Sequence, residues 1–435
     1  MADSSEGKAE TVSQGSSEPV KATRRFVRSY VAVLFLLALS AGILSLLTRE
    51  ISLTFFGPFA DEAAARAAIG MTTQLSTTLN AAELAAGLAM SALIIRFRPK
   101  SLLMVGLLLS FISAAGNFLA PSLMWMHVFF ALSGISITMI SISGITLIGE
   151  FVPSTRKAKA VSYVAAATYF ASLMGAIIIP RLADLGSWRF VYLFLSVPST
   201  LAALAIAFIG IPFLSRRREQ PTEKRAYTHR YKQVLFNRSA FACLIAGVFF
   251  SGVIGLFALN FIRQQFFSDL ALTVQRQYSS YIFIVSTILF AAGALVAGRL
   301  IGKTSAKTLA GVGLLGDGIF IALLFLSPSL PVALAFDWLH VWFATTAGTA
   351  LTCLVLDQVP GARGTMMSLV GVFADIGNTI APLLGGVMLV LYSYAALGIV
   401  LGVSSMIASA IIFFLVKDPA KTFAEQKEDK PQIER

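Results

Sequence analysis

Hydrophobic residues along the chain gather into long continuous stretches rather than into alternating or striped patterns. Twelve of these stretches are long enough to cross a bilayer, which takes about 20 apolar residues. They cover roughly 26–47, 71–95, 101–120, 124–148, 160–182, 189–213, 239–262, 278–300, 308–327, 331–356, 364–391 and 394–416. Backbone polar groups find no partner in lipid, so spans of this kind are helices. The pattern predicts an all-α integral membrane protein with twelve transmembrane helices.

Composition excludes a soluble protein. The chain is 57% hydrophobic and only 13% charged, against about 25% charged residues in soluble domains. Residues 1–25 are polar and rich in Ser and Glu, which predicts a disordered tail. Because no apolar run with a small-residue cleavage site lies near the start, we expect no removable signal peptide.

Two glycine motifs suggest a nucleotide site at first sight. AGRLIGKT (297–304) resembles a phosphate-binding loop, and GVGLLG (311–316) matches a dinucleotide fingerprint. Such loops follow a β-strand, but the stretch before the first motif is twenty-one residues without a charge, and Ala297 replaces its first glycine. The second motif lies inside an apolar span, where glycines let helices approach closely. We therefore expect no nucleotide and no cofactor.

Enzymatic and metal chemistry lack their usual residues. The three histidines lie far apart at 127, 229 and 340, without the spacing of a metal site or a catalytic triad. Cys243 and Cys353 both fall inside predicted spans, where cysteine acts as a small apolar residue. The sequence predicts neither a metal site nor an enzyme.

The net charge of +12 carries topological information. When loops are assigned alternately to the two sides, most of the 34 Lys and Arg residues fall on one side, together with both termini and the segment 215–238. The positive-inside rule places that side in the cytoplasm of a multi-pass cell-membrane protein. The basic charge thus indicates orientation in a lipid bilayer rather than nucleic-acid binding.

A repeat at a fixed offset divides the chain. Glu150, Pro153 and Arg156 recur 207 residues later as Asp357, Pro360 and Arg363. The same shift carries the basic turn at 95–100 onto that at 302–307. We expect a duplicated six-helix unit, with two pseudo-symmetric bundles at 26–214 and 239–417, a basic cytoplasmic linker at 215–238 and a cytoplasmic tail at 418–435.

Six plus six helices and these loop motifs resemble the major facilitator superfamily of secondary transporters. Its loop between helices two and three is matched by Arg96 and Lys100 and, in the second copy, by Gly298, Lys303 and Lys307. The E-x-x-P-x-x-R motif, Trp188-Arg189 and APLLGG (381–386) are also similar to family features. The resemblance implies a cytoplasmic gate formed by Arg96, Lys100, Glu150, Arg156, Lys303, Lys307, Asp357 and Arg363.

The chain departs from the family pattern at two places. The aspartate of the loop between helices two and three is replaced by Ile95 in one copy and Gly302 in the other. The gate would therefore depend on Glu150 with Arg96 and on Asp357 with Lys303. Phe130 stands where drug/proton antiporters carry an arginine, which argues against the drug-efflux branch.

Acidic residues at bilayer depth are costly and are functional candidates by default. Glu83 and Asp375 each lie twelve residues from the basic end of their span, and each has an asparagine three residues farther out, Asn80 and Asn378. The resemblance implies that these two helices face each other. Two close carboxylates in a low-dielectric medium hold a proton readily, so we expect proton coupling. The alternative is that each acid is satisfied locally and stiffens helix packing.

Asp337 and His340 form a second candidate for proton coupling, one turn apart in AFDWLHVWF. Histidine titrates near physiological pH, so the pair could relay protons, or it could be an interfacial contact within a belt of Trp338 and Trp342. For Asp317, on a helix that the resemblance places at the periphery, packing is favoured over transport.

Uncharged polar residues complete the set. Candidates for the substrate cavity are Asn80, Asn378, Ser136, Asn260 and Trp342, although Ser and Asn also join membrane helices. Arginines at the outer helix ends, including Arg263, are expected to snorkel to the interface.

The leading hypothesis is a monomeric secondary transporter, antiporter or symporter, that moves a small solute by alternating access with a proton or another ion. An uncoupled facilitator and a transporter-like receptor or sensor are the alternatives. A cavity with acids and few bases favours cationic or neutral amphipathic solutes, while solute identity, direction and coupling ion cannot be read from the sequence.

Overall fold

The computed structural model describes residues 17–152, 154–211, 231–250, 254–301, 303–359 and 363–418, and these contain helices and no strand. The helices are α1 (Ser17–Ala38), α2 (Ile43–Phe56), α3 (Glu62–Arg96), α4 (Pro99–Leu119), α5 (Leu123–Phe151), α6 (Ser154–Ala183), α7 (Arg189–Gly210, with a π-helical turn at Tyr192–Ser196), α8 (Arg238–Phe250), α9 (Ile254–Phe266), α10 (Leu272–Ile301), α11 (Ala306–Phe325), α12 (Leu330–Gln358), α13 (Arg363–Leu391) and α14 (Tyr394–Leu415). A further helical turn covers 231–235. The predicted all-α class is confirmed.

Ten spans in the described part of the chain are long and apolar enough to cross a membrane, with α1 and α2 together forming the first. Two of the twelve predicted spans are not among them. The stretch 71–95 lies in α3, which is 35 residues long. The stretch 239–262 falls in α8 and α9, of 13 residues each, and residues 251–253 between them lie outside the described part of the chain. A multi-pass membrane protein is therefore confirmed, while the count of twelve is not reproduced as such.

The 207-residue repeat reappears in the helix bounds. Helix α5 covers 123–151 and α12 covers 330–358, so both ends are displaced by the same offset. Helices α1–α7 form an N-terminal bundle, in which α5 packs against α3 and α4. Helices α8–α14 form a C-terminal bundle, in which α12 packs in the same way against α10 and α11.

The glycines of GVGLLG lie where helices of the C-terminal bundle approach closely. A Cβ atom on Gly313 would lie 2.9 Å from the backbone nitrogen of Ala347 in α12. Cβ atoms on Gly311 and Gly316 would lie 2.5 Å from ring atoms of Phe413 and Phe343. Only glycine leaves room for such neighbours. The motif is a packing surface on α11, as its apolar setting predicts.

The bundle has two ends that differ in charge. The basic end carries the α3–α4 and α10–α11 turns with Arg96, Lys100 and Lys303, and there Thr23 Oγ1 donates to the Phe151 carbonyl at 2.9 Å. The distal end carries the α2–α3, α6–α7 and α9–α10 turns. Asp61 begins α3 at the distal end, where its carboxylate accepts from Ala64 N at 2.7 Å. Such N-caps satisfy the free N–H groups of a first helical turn.

Candidate functional site

A buried ion-pair network joins the two bundles at the distal end. Arg263 of α9 donates to both carboxylate oxygens of Glu50 in α2, at 2.7 and 3.3 Å, and to the Leu46 carbonyl at 2.7 Å. Arg276 of α10 lies 3.5 Å from Glu50 and 2.8 Å from Asp184. Arg263 is only 1% exposed, so the expectation that it snorkels to the interface is wrong. Two acids of one bundle hold two arginines of the other.

Helices α6 and α13 each contain an internal proline. Because proline has no N–H, the backbone carbonyl four residues earlier loses its intrahelical hydrogen bond. In α13, Pro382 frees the carbonyl of Asn378, and Asn80 Nδ2 from α3 donates to it at 2.7 Å. In α6, Pro180 frees the carbonyl of Ala176. Ser280 of α10 donates its hydroxyl to that oxygen. Each bundle therefore supplies the hydrogen bond that a proline removes from the other.

Helices α3 and α13 run antiparallel in one continuous register. Gly70 meets Gly386, where a Cβ on Gly70 would lie 2.8 Å from the Gly386 carbonyl oxygen. Next toward the basic end, Gln74 Nε2 donates to the carbonyls of Pro382 and Leu383, both at 3.3 Å. The APLLGG segment thus forms the contact surface of α13 with the other bundle.

The same register brings Glu83 and Asp375 together, one turn beyond the Asn80–Asn378 contact. They lie on facing helices of the two bundles, and both side chains are half-buried. The backbone carbonyl of Glu83 accepts from Thr138 Oγ1 of α5 at 3.2 Å. This helix register agrees with the equal depths read from the sequence, and the pairing of the two acids for proton coupling stays a prediction.

A cavity of about 740 Å³ lies in the C-terminal bundle, mainly between α10 and α12, with α6 and α13 contributing. Aromatic rings and hydroxyl groups line it, and Asp337 and His340 are the carboxylate and imidazole side chains among its described lining residues. Asn378 also faces this cavity. The threonine hydroxyls of α12 that line it, Thr345, Thr349 and Thr352, donate to carbonyls of their own helix at 2.8–2.9 Å.

Three buried titratable groups meet beside this cavity. His340 Nδ1 and Asp317 Oδ1 are 2.7 Å apart, and Ser405 Oγ donates to Asp317 Oδ2 at 2.6 Å. Asp337, one turn before His340 on α12, accepts from Ser286 Oγ at 3.0 Å. All three titratable side chains are at most 5% exposed. The arrangement can hold a proton on an imidazole or a carboxylate next to an open cavity.

Asp317 is the member of this cluster that sequence reasoning set aside. The pattern of Asp337 and His340 suggested a pair on one helix, whereas the hydrogen bond of His340 goes to Asp317 on α11. A signal for this was present, because Asp317 and His340 lie at similar distances from the turn that joins α11 to α12. Equal distance from a hairpin turn places residues of antiparallel helices at the same depth.

A second cavity, of about 630 Å³, lies inside the N-terminal bundle and is lined mainly by α1, α2, α4, α5 and α7. Ser136 faces it. The other uncharged candidates lie elsewhere. Asn260 is buried, and its Nδ2 donates to the Leu256 carbonyl at 2.7 Å. Trp342 is half-buried on α12, and its carbonyl accepts from Thr346.

The predicted gating residues lie at the basic end, and the structure describes five of their side chains. Lys100 is buried and donates to the Phe208 carbonyl of α7 at 3.1 Å, inside its own bundle. Arg96, Lys303 and Asp357 are exposed and Lys307 is half-buried. The side chains of Glu150, Arg156 and Arg363 lie outside the described residues. The ion pairs expected of this gate stay a prediction.

The chain matches the model of a known protein family. The model of the Major Facilitator Superfamily matches residues 30–279 and 254–433, which together cover most of the chain. No curated protein sequence matches the chain.

Solved structures of similar fold cover nearly the whole chain. A crystal structure of a D-xylose–proton symporter aligns with a TM-score of 0.72 at 15% identity, over 91% of this chain and 98% of that one. A bacterial homologue of the human lysosomal transporter Spinster, in an inward-facing and unoccupied conformation, aligns with a TM-score of 0.68 at 16% identity, over 94% and 99%. The inward-open xylose transporter XylE from E. coli aligns with a TM-score of 0.65 at 16% identity, over 92% and 97%. The chain belongs to the Major Facilitator Superfamily, and it is a solute transporter and not an enzyme.

Proposed function

We propose that the chain is a proton-coupled secondary transporter whose two bundles rock against each other to expose a central pathway alternately to the two sides. The bundle contacts described above run from Glu50–Arg263 at the distal end to Asn80–Asn378. The basic end holds most of the positive charge and therefore faces the cytoplasm. This is the arrangement of a state closed toward the outside.

The single observation that carries proton coupling is the buried cluster of Asp317, His340 and Asp337 beside a cavity. Burying ionisable groups inside a membrane span costs free energy, so such groups are candidates for a functional role. Asp337 faces the cavity with one hydroxyl donor, so it is the group that takes up and releases the proton. Asp317 is fully enclosed and holds His340 in place.

Glu83 and Asp375 form a second candidate site for the same proton. They belong to different bundles, so any motion that separates α3 from α13 also separates their charges. A proton that neutralises one of them favours their approach, because the repulsion between two carboxylates in a low-dielectric medium is large. Protonation of this pair therefore favours the state in which the bundles are close.

The test uses purified protein in vesicles that contain a pH-sensitive dye, with a panel of neutral and cationic amphipathic solutes. Wild type is expected to show solute-dependent proton flux. Asp337→Asn is expected to lose uphill, gradient-driven uptake and to retain counterflow exchange of solute, which needs no net proton movement. Thr349→Val is the matched control, since Thr349 lines the same cavity and its hydroxyl bonds its own helix.

Other outcomes decide between the alternatives. Solute flux without proton movement in wild type identifies an uncoupled facilitator or another coupling ion. Solute binding without flux identifies a receptor. Proton-driven uptake that survives Asp337→Asn but fails in the Glu83→Gln, Asp375→Asn double variant moves the coupling site to the bundle interface.

The proposed orientation has its own test. Single cysteines at exposed Ala60, at the distal end, and exposed Arg98, at the basic end, are labelled in intact cells with a membrane-impermeant maleimide. Labelling of the distal position alone is expected, since the basic end faces the cytoplasm. Labelling of the basic position alone would reverse the orientation.

A further inference from the structure

The cavity inside the N-terminal bundle has the size of a ligand site. Its volume of about 630 Å³ falls within the range of about 300–1,000 Å³ for small-molecule pockets. Its walls come from the seven helices α1–α7 of one bundle, and Leu256 of α9 reaches it from the other. The ion pairs and proton candidates described above lie outside it.

The lining of this cavity carries no charge. Among its described lining residues none is Asp, Glu, Lys, Arg or His, whereas the cavity of the C-terminal bundle holds Asp337 and His340. An ion taken out of water pays a large desolvation penalty unless it meets an opposite charge. A ligand of the N-terminal cavity is therefore uncharged.

Two polar groups on this lining lack partners among the described residues. Ser136 Oγ and Asn117 Oδ1 are buried, at 1% and 2% exposure, and neither has a hydrogen-bond partner there. Most buried polar groups in proteins are paired. Both residues line the same cavity. Each unpaired atom is itself closed to solvent, so a molecule inside the cavity can pair with it after a small rotation of the side chain.

These groups lie on either side of a bonded serine pair. Ser113 of α4 and Ser133 of α5 are 2.8 Å apart. Asn117 is one turn from Ser113 toward the distal end, and Ser136 is one turn from Ser133 toward the basic end. With a rise of 1.5 Å per residue, the two unpaired groups are about 10 Å apart along the bundle.

The chemistry of the two groups specifies the ligand. Asn117 Nδ2 already donates to the Ser113 carbonyl at 3.0 Å, so the free Oδ1 needs a donor. Ser136 Oγ can donate or accept. Hydroxyl groups meet both needs, and the apolar walls beside them, with Leu34, Phe130 and Ile137, suit a hydrophobic body.

We infer that the N-terminal cavity binds an uncharged, hydroxyl-bearing amphipathic solute between Asn117 and Ser136. The inference rests on the proposed function only in taking this ligand as the transported solute, with the proton held in the other bundle. Binding can be measured without transport, so the inference about this cavity and the proposed transport function can be refuted independently.

The experiment measures equilibrium binding to the full chain in lipid nanodiscs. Three radiolabelled probes share a ring of similar size: phenyl β-D-glucopyranoside is uncharged with hydroxyls, benzyltrimethylammonium is a cation and benzenesulfonate is an anion. The glucoside is expected to bind, and Ser136→Ala and Asn117→Leu are each expected to weaken it about 3- to 10-fold, the loss of one hydrogen bond. Ser143→Ala is the matched control, because Ser143 is on the same helix, fully buried and likewise unpaired among the described residues, but does not line the cavity.

Three results would overturn the inference. The first is no binding of the glucoside, which leaves water as the partner of Ser136 and Asn117. The second is glucoside binding that Ser136→Ala leaves unchanged in protein of normal size-exclusion profile. The third is binding of the cation alone with loss in Asp337→Asn, which places the solute in the C-terminal cavity. Glucoside binding without transport would support the site and contradict the proposed function.

Discussion

Replacing Glu50 by Gln should open the distal end of the molecule. The substitution keeps the shape of the side chain but removes the negative charge that two arginines share. Leaving one member of a buried ion pair without its partner costs about 3–5 kcal/mol. Here Arg263 keeps its bond to the Leu46 carbonyl, and Arg276 keeps Asp184 at 2.8 Å. A smaller cost than this range, about 2–3 kcal/mol, is therefore expected, because both arginines keep a partner.

This penalty applies only while the distal end is closed. When the bundles separate there, Arg263 is solvated and no longer needs Glu50. A difference of about 2–3 kcal/mol between two states shifts their ratio by roughly 30- to 150-fold toward the open state. Double electron–electron resonance between spin labels at exposed Ala60 and Asp269, one in each bundle, measures the distance between the two bundles at the distal end. The population with the longer distance should grow in Glu50→Gln relative to wild type.

Two further variants control this measurement. Glu62→Gln removes an exposed acid at the same end, paired with Arg66 inside its own bundle, and should leave the distances unchanged. The Glu50→Gln, Arg263→Gln double variant removes both charges of that ion pair, so part of the closed population should return. Unchanged distances in Glu50→Gln would refute the view that this network holds the distal end closed.

Three other substitutions test separate contacts. Asn80→Leu removes the donor to the carbonyl that Pro382 frees, and it should destabilise the closed state by about 1–3 kcal/mol. Thermal unfolding and spin-label distances measure this effect, which should be smaller when Pro382 is also replaced by Ala. Equal effects with and without Pro382→Ala would contradict the pairing of Asn80 with this carbonyl. Gly386→Ala places a Cβ 2.7 Å from the Gly70 carbonyl oxygen, so the distal distance should lengthen, and a wild-type distance would show that the helices have room. Asp317→Asn should reduce uphill uptake more than counterflow, and equal loss of both would indicate a structural role alone.

Much of the helical architecture can be predicted from the sequence, because a lipid bilayer sets one requirement for every spanning segment. A span must be about 20 residues long and apolar, and this criterion recovers most of the observed helices. The repeat of Glu150 as Asp357 predicts the offset at which α5 and α12 begin and end.

Tertiary partners are harder to read. An arginine near the outer end of a span has the same local pattern whether it snorkels to the interface or is buried against an acid. Arg263 does the second with Glu50, 213 residues away, and no local signal names that partner. The equal depth of Glu83 and Asp375 can be read from the sequence, whereas the facing of their helices was expected from the resemblance, and their part in proton coupling stays a prediction.

Asn80 illustrates which part of a tertiary contact can be read from the sequence and which part cannot. Its amide was predicted to face a substrate, and the structure gives it a backbone carbonyl instead. The signal lay on the other helix, where Pro382 follows Asn378 by four residues and frees its carbonyl. Reading it required knowing which helix faces α3.

The exchanged hydrogen bonds at Asn378 and Ala176 link the opening of the molecule to its hydration. Both carbonyls lie in the inner part of the bundle and lose their side-chain donors when the bundles separate. Lipid offers no replacement donor at that depth, so water must enter as far as these two oxygens for the distal end to open. We therefore expect wetting of the pathway and movement of the bundles to occur together, because a dry open state would leave both carbonyls without a donor.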